Sequence, residues 1–362
     1  MKKEKKATSD SGDITKEHHN KFLTKAKSIV WFFGKIIIAG GIIYWLVSDH
    51  YDEFIHVIKN VDYNWLILAL IFYIISQVAA AFRWYLLLRV QKIKVSFFEA
   101  LSLSMQGTFF SLVIPGGALG GDVVRTSFLL SRTPKGTKLA ATSTVFMDRF
   151  TGMFGQFSIA LIMAFFCIYD IKSMDRVAQF TVLLILAISL LGIIIGIMFL
   201  IHRKLERFRL YSFLTKIGDK WTKGFVTEAT NILDVYNRSK KTMVNCVLIG
   251  AIFIQLNMSL ILYFVAKGIH AANISIKPLI FSIAVGNTAG LLPITPSGLG
   301  TRDAVVKTVL SNGGFSIGDS IAMPLLFSSI MLFVGLLGGL FLIFHKKKKE
   351  MYDIGDVSDE SK

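Results

Sequence analysis

The chain has 362 residues, 53% of them hydrophobic and 18% charged; 40 Lys and Arg against 24 Asp and Glu give a formal net charge of +16. Soluble domains average about 45–50% apolar residues. Here the excess lies in runs near twenty residues, the length a helix needs to cross a bilayer, so the positive charge reads as basic loops on an anionic leaflet and no nucleic-acid partner is expected.

Residues 1–28 form a polar tail with eight lysines. No short apolar stretch with a small-residue cleavage site follows, so the first apolar segment is expected to be a retained anchor and not a signal peptide. Apolar segments run at roughly 29–48, 64–83, 96–115, 141–168, 178–201, 243–267, 279–300 and 320–344, within a membrane domain of 29–345. Trp31, Trp45, Trp65 and Trp84 lie at segment ends, where interfacial aromatics belong. The spacings Gly192/Gly196, Gly286/Gly290 and Gly335/Gly339 suit close helix packing. A tail at 346–362 begins with four lysines and ends acidic.

The connecting charges choose between topologies. Residues 123–140 carry four cations and no acid, and 202–242 carry ten cations against four acids. If all eight segments crossed, both basic loops would face outside, against the positive-inside bias. If 96–115 and 279–300 instead dip in and return, every strongly basic loop and both termini are cytoplasmic. The expected fold is therefore an all-α polytopic membrane protein of about six transmembrane helices and two re-entrant helical hairpins. Its halves, 29–170 and 178–345, then form an inverted-topology repeat of the kind that transporters use.

The segment 96–115 ends in PGGALGGD, residues 115–122. Pro115 breaks a helix because it lacks an N–H and clashes with the preceding turn; Gly116, Gly117, Gly120 and Gly121 allow tight turns and close backbone approach. The second re-entrant carries an echo, PSGLGTRD at 296–303, with Pro293, Pro296, Gly298 and Gly300 before Arg302 and Asp303. A helix is expected to start near 298–301, with N–H groups that favour an anion and Arg302 adding a planar fork suited to phosphate. Asp122 and Arg125, three residues apart, share a helix face. Asp148 and Arg149 lie about seven residues into a span, roughly 10 Å deep at 1.5 Å per residue. Charges inside a membrane are rare and mark functional sites. Neighbours on a helix diverge by about 100°, so Asp148 is expected to meet Arg125 and Arg149 to meet Asp122. The same residues allow a purely structural reading, in which the glycines close a tight hairpin and the charges only pair with one another.

Two cysteines in apolar runs and seven scattered histidines give neither a disulfide framework nor zinc spacing, and no Walker A motif is present. No metal, cofactor or catalytic nucleophile is expected.

The PGG…GGD motif followed by Arg, the acid–Arg pair in the next span and the late P-x-x-P-x-G-x-G motif with an acid resemble the lysylphosphatidylglycerol synthase transmembrane family, over about 29–345. The resemblance implies a flippase-like domain. In full synthases this domain is similar to a translocator of aminoacylated phosphatidylglycerol between leaflets, while a separate soluble domain attaches the amino acid. About eighteen residues follow the last span here, so aminoacyl transfer is not expected. Some stand-alone relatives are linked to polyprenyl-lipid and glycolipid pathways. The resemblance makes Asp122, Arg125, Asp148, Arg149, Arg302 and Asp303 the headgroup-binding candidates. Ser297 stands where glycine is usual and Asp303 where glutamate is usual, which leaves the substrate open. The expected activity is movement of a charged phospholipid or polyprenyl-phosphate lipid between leaflets of the inner, cytoplasmic membrane. The alternatives are a non-catalytic accessory subunit that recruits an envelope-biosynthesis partner through the 202–242 loop, and a membrane enzyme acting on a lipid-linked substrate.

Overall fold

The structure, a computed structural model, describes residues 51–343 apart from 115–117, 132, 134–137, 201–233, 293–294 and 296–297, together with Ile37, Gly41, Tyr44 and Ser48. The two terminal tails, nearly all of the first apolar segment, most of the 202–242 loop and Pro115, Gly116, Gly117, Pro293 and Pro296 lie outside the described residues. All regular elements among the described residues are helical.

In chain order these are α1 (Tyr51–Lys59), α2 (Tyr63–Val90), α3 (Phe97–Val113), α4 (Ala118–Leu130), α5 (Lys138–Phe166), the short α6 (Ile168–Ser173) and α7 (Arg176–Leu200). Then come α8, a continuous helix over Lys240–Gly268 with a π-helical stretch at Ile249–Leu256, α9 (Ile276–Gly290), α10 (Thr301–Asn312) and α11 (Ile317–Leu337). Five helices are long and apolar enough to cross a membrane: α2, α5, α7, α8 and α11.

Burial is inverted relative to a water-soluble protein. Ile67, Ile71, Ile74, Ile75 and Phe82 of α2 are exposed, as are Phe180, Leu184, Leu191 and Ile195 of α7, while Arg83, Gln106, Arg125, Asp148, Arg302 and Asp303 are buried. Such an apolar exterior is tolerable where lipid replaces water, and the polar groups are turned inward to find partners.

The remaining long elements pair as two helical hairpins. Their arms have 17 and 13 residues (α3, α4) and 15 and 12 residues (α9, α10). At 1.5 Å per residue they span about 26, 20, 22 and 18 Å, short of the roughly 30 Å hydrocarbon core. Ser96 caps the first arm by accepting from Glu99 N (3.3 Å). That arm ends at Ile114 with extended backbone, as a residue before proline must. Gly121 of α4 lies so close to Gly107 of α3 that a Cβ would fall on the Gly107 carbonyl. In the second hairpin Gly298 and Gly300 have φ of +75° and +81°, which glycine alone adopts without strain. A Cβ at Gly298 would sit 2.7 Å from Gly290 Cα.

The first hairpin packs on α2, α5 and α11, and the second on α5, α7, α8 and α11. Both hairpins thus meet α5 and α11. One core joins Ala69 and Tyr73 of α2 to Ile261, Ile283, Leu310 and Phe327; another joins Trp84 and Leu88 to Leu103, Leu129 and Val145.

Two boundaries differ from the sequence expectation: residues 123–130, read as the start of a basic loop, belong to α4 and so to the second arm of the first hairpin, and one span is longer than expected. The segment read as ending at residue 83 continues to Val90. Trp84, expected at the interface, is fully buried, and its Nε1 donates to Thr144 Oγ1 (3.1 Å). A hydrogen-bond partner inside the bundle does for this indole what a lipid headgroup does at an interface.

Candidate functional site

The first hairpin, α2 and α5 build a five-charge network. Asp148 of α5 accepts from Arg83 Nε at Oδ1 (2.8 Å) and from Arg125 Nη2 at Oδ2 (3.0 Å). Asp122 of α4 accepts from Arg149 Nε at Oδ2 (2.5 Å), and its Oδ1 lies 3.5 Å from Arg125 Nη2. Arg149 Nη2 also donates to the Ala118 carbonyl (3.1 Å). Both pairings expected from helix geometry, Asp148 with Arg125 and Arg149 with Asp122, are therefore present, and Asp122 and Arg125 do share a face. The Arg125 guanidinium lies over the Trp84 ring, 4.4 Å from its centroid, a cation–π contact that is strongest when desolvated.

Sequence reasoning missed Arg83, the second partner of Asp148. Its guanidinium passes between Gly152 of α5 and Gly250 of α8, where Cβ atoms would stand 2.7 and 3.1 Å from its Nη1. An arginine inside an apolar run, with glycines on neighbouring spans, was the available signal; taking Trp84 as the end of the segment hid it.

The second hairpin holds a separate cluster. Arg302 Nε and Nη2 donate to Asp303 Oδ1 (3.2 and 3.1 Å). Ser328 Oγ of α11 donates to the same oxygen (2.7 Å) and accepts from Arg302 Nη2. Asp303 Oδ2 accepts from Gly300 N (3.0 Å), closing the start of α10. Among the described residues Arg302 Nη1 meets a thioether, Met331 Sδ, and its guanidinium stands 5.0 Å from the Phe327 ring centroid. Ser328, Met331 and Phe327 carried no motif signal. The two echo segments are not equivalent: Asp122 borders open space, whereas Asp303 is fully buried.

The two clusters meet at a cavity of about 270 Å³. Its charged lining is Asp122, Arg125, Arg149 and Arg302, and Ser104, Thr108, Ser111, Tyr73 and Asn287 add polar groups. Arg149 is the most open of the arginines there, with 39% of its side chain exposed against 9% for Arg125. Among the described residues, Arg125 Nε and Ser104 Oγ are buried without a hydrogen-bond partner. Guanidinium forks of this kind match phosphate in geometry, and they stand here in a setting where charge interactions are stronger than in water.

Fold and site together define an integral multi-pass membrane protein with a charged cavity between two helical hairpins. The chain belongs to the family of the lysylphosphatidylglycerol synthase TM region, whose model matches residues 32–339. It is 28% identical over 287 residues to the UPF0104 membrane protein MJ1595 of Methanocaldococcus jannaschii, covering 75% of this chain and 81% of that one. A shorter match, 29% identical over 98 residues, covers 27% of this chain and 29% of the UPF0104 membrane protein PH1989 of Pyrococcus horikoshii.

Proposed function

We propose that the protein moves a charged phospholipid or polyprenyl-phosphate lipid between membrane leaflets, with the headgroup travelling through this cavity and the acyl chains left in the bilayer. The observation that carries the reading is the convergence of Arg125, Arg149 and Arg302, from α4, α5 and α10, on one cavity. Arg149, the most open, receives the phosphate first. Arg125 and Arg302 hold it deeper, one from each hairpin. Asp122 and Asp148 keep the guanidiniums spaced while the cavity is empty.

The topology that goes with this function has six spans, two re-entrant hairpins, cytoplasmic termini and a cytoplasmic-membrane location, the two halves forming an inverted repeat. Arms too short to cross the hydrocarbon core support the re-entrant assignment. Irregular backbone at membrane depth is stable where it lines a cavity, and the Gly298–Gly300 turn adjoins Arg302.

The test is exchange of fluorescent phosphatidylglycerol and a polyprenyl phosphate between leaflets of proteoliposomes, with lipid masses measured in the same samples. Protein-dependent exchange with unchanged masses is expected. A lipid of new mass would point to an enzyme; neither exchange nor product, with folded protein, would favour an accessory subunit.

A further inference from the structure

We infer that the cavity selects a headgroup with one net negative charge and no amine of its own, a phosphodiester-type monoanion, and discriminates against aminoacylated lipids. The inference rests on the translocator reading above and narrows its substrate.

It follows from the acceptors already in use. Asp148 gives one oxygen to Arg83 and the other to Arg125. Asp122 gives one to Arg149 and sets the other against Arg125. Asp303 gives one to Arg302 and Ser328 and the other to Gly300 N. All six carboxylate oxygens of the two clusters face a donor. Beside the cavity, the rings of Trp84 and Phe327 already carry Arg125 and Arg302. An incoming amine therefore meets no carboxylate oxygen of the two clusters that is without a donor.

Donors, by contrast, are in surplus. Among the described residues, Arg125 Nε is buried without an acceptor, and Arg302 Nη1 meets a sulfur, a weak acceptor. The charge count agrees. Four guanidiniums (Arg83, Arg125, Arg149, Arg302) stand against three carboxylates (Asp122, Asp148, Asp303), a surplus of one positive charge in the two clusters. A phosphodiester such as phosphatidylglycerol neutralises that surplus and supplies the missing acceptors. Lysyl-phosphatidylglycerol brings two ammonium groups for one phosphate and carries a net charge of the same sign as the site.

The experiment is competition against fluorescent phosphatidylglycerol bound to the purified full chain. The competitors are phosphatidylglycerol, lysyl-phosphatidylglycerol, phosphatidylethanolamine and the deacylated glycerophosphoglycerol. Phosphatidylglycerol is expected to compete at least about tenfold better than the lysyl lipid, the factor that one unpaired buried polar group produces. Equal or reversed competition would overturn the inference. The deacylated diester separates the two sources of this chemistry: competition as strong as the lipid's assigns the site to a soluble diester, and weak competition to a membrane lipid. Arg125→Gln leaves Asp122 Oδ1 and Asp148 Oδ2 without a cation, so it is expected to bind the lysyl lipid better than wild type does, a gain that misfolding does not imitate. Should that variant not fold, Arg302→Gln removes the charge surplus and narrows the same ratio. An unchanged ratio in a folded variant would also overturn the inference. Leaflet exchange of both lipids at equal rates contradicts this selectivity alone, whereas exchange of neither contradicts the translocator and leaves the binding order to be read directly.

Discussion

Replacing Asp148 by asparagine takes the shared carboxylate away from two buried arginines, Arg83 and Arg125. The wild-type carboxylate accepts from Arg83 and Arg125, and all three side chains are more than nine-tenths buried. Asparagine keeps one acceptor and turns an N–H2 toward the other guanidinium, leaving three arginines (Arg83, Arg125, Arg149) around Asp122 alone. Removing one partner of a buried pair costs about 3–5 kcal/mol, and here two partners lose theirs. Arg83→Met is expected to cost less, about 1–3 kcal/mol, because Asp148 keeps Arg125 and the network balances at two charges of each sign. In the double variant Arg83 is no longer stranded, so the two costs should fall short of additive by about 1–3 kcal/mol. Unfolding of the purified protein in dodecyl sulfate, followed by tryptophan fluorescence, reads all three; Trp84, stacked under Arg125, reports from beside the network. Additivity within about 0.5 kcal/mol, or Arg83→Met costing as much as Asp148→Asn, would refute the shared-carboxylate argument.

Further expectations concern the glycines, a thiol and the topology. Gly121→Ala places a methyl on the Gly107 carbonyl and within 2.9 Å of Ser111 Cβ, so it should lower thermal stability by several degrees where Gly41→Ala, with nothing within 4 Å, does not. Gly152→Ala puts a Cβ 2.7 Å from Arg83 Nη1 and should reproduce the Arg83→Met stability loss; a neutral result would mean that Arg83 does not occupy that gap. Burial, with Asp170 nearby, pushes the Cys167 thiol up to about 11, so its thiolate fraction at pH 8 is about one in a thousand and alkylation should rise about tenfold per pH unit up to that value; fast labelling at pH 8 would contradict its burial. With both native cysteines, Cys167 and Cys246, buried, a cysteine at Asn312 should react with an impermeant thiol reagent on intact cells and one at Lys223 should not. Labelling at Lys223 would remove the inverted-repeat topology.

Much of this architecture was legible because a membrane makes sequence rules strict. A run of apolar residues, or a proline followed by glycines, has few interpretations when every backbone polar group must be satisfied internally. The short hairpin arms, the start of α10 at Thr301 and the pairing of Asp148 with Arg125 and Arg149 with Asp122 follow from 3.6-residue periodicity and the high cost of an unpaired intramembrane charge. What escaped was whatever depends on helices distant in sequence. Arg83 finds Asp148 65 residues away through a gap left by Gly152 and Gly250, and no local pattern announces that gap. Trp84 followed the statistical preference of tryptophan for interfaces until Thr144 supplied a partner inside the bundle. Ser328 and Met331 reach Arg302 because α11 crosses the second hairpin, a packing fact written in no motif.

The central claim is that both hairpins serve one headgroup path, and it is tested most directly by phosphatidylglycerol exchange in proteoliposomes containing wild type, Arg125→Gln or Arg302→Gln, each checked for folding. These residues lie on different hairpins and line the same cavity. The account predicts that each substitution alone slows exchange at least about tenfold, the value of one charge-assisted hydrogen bond. Exchange at the wild-type rate in either folded variant would contradict a shared path.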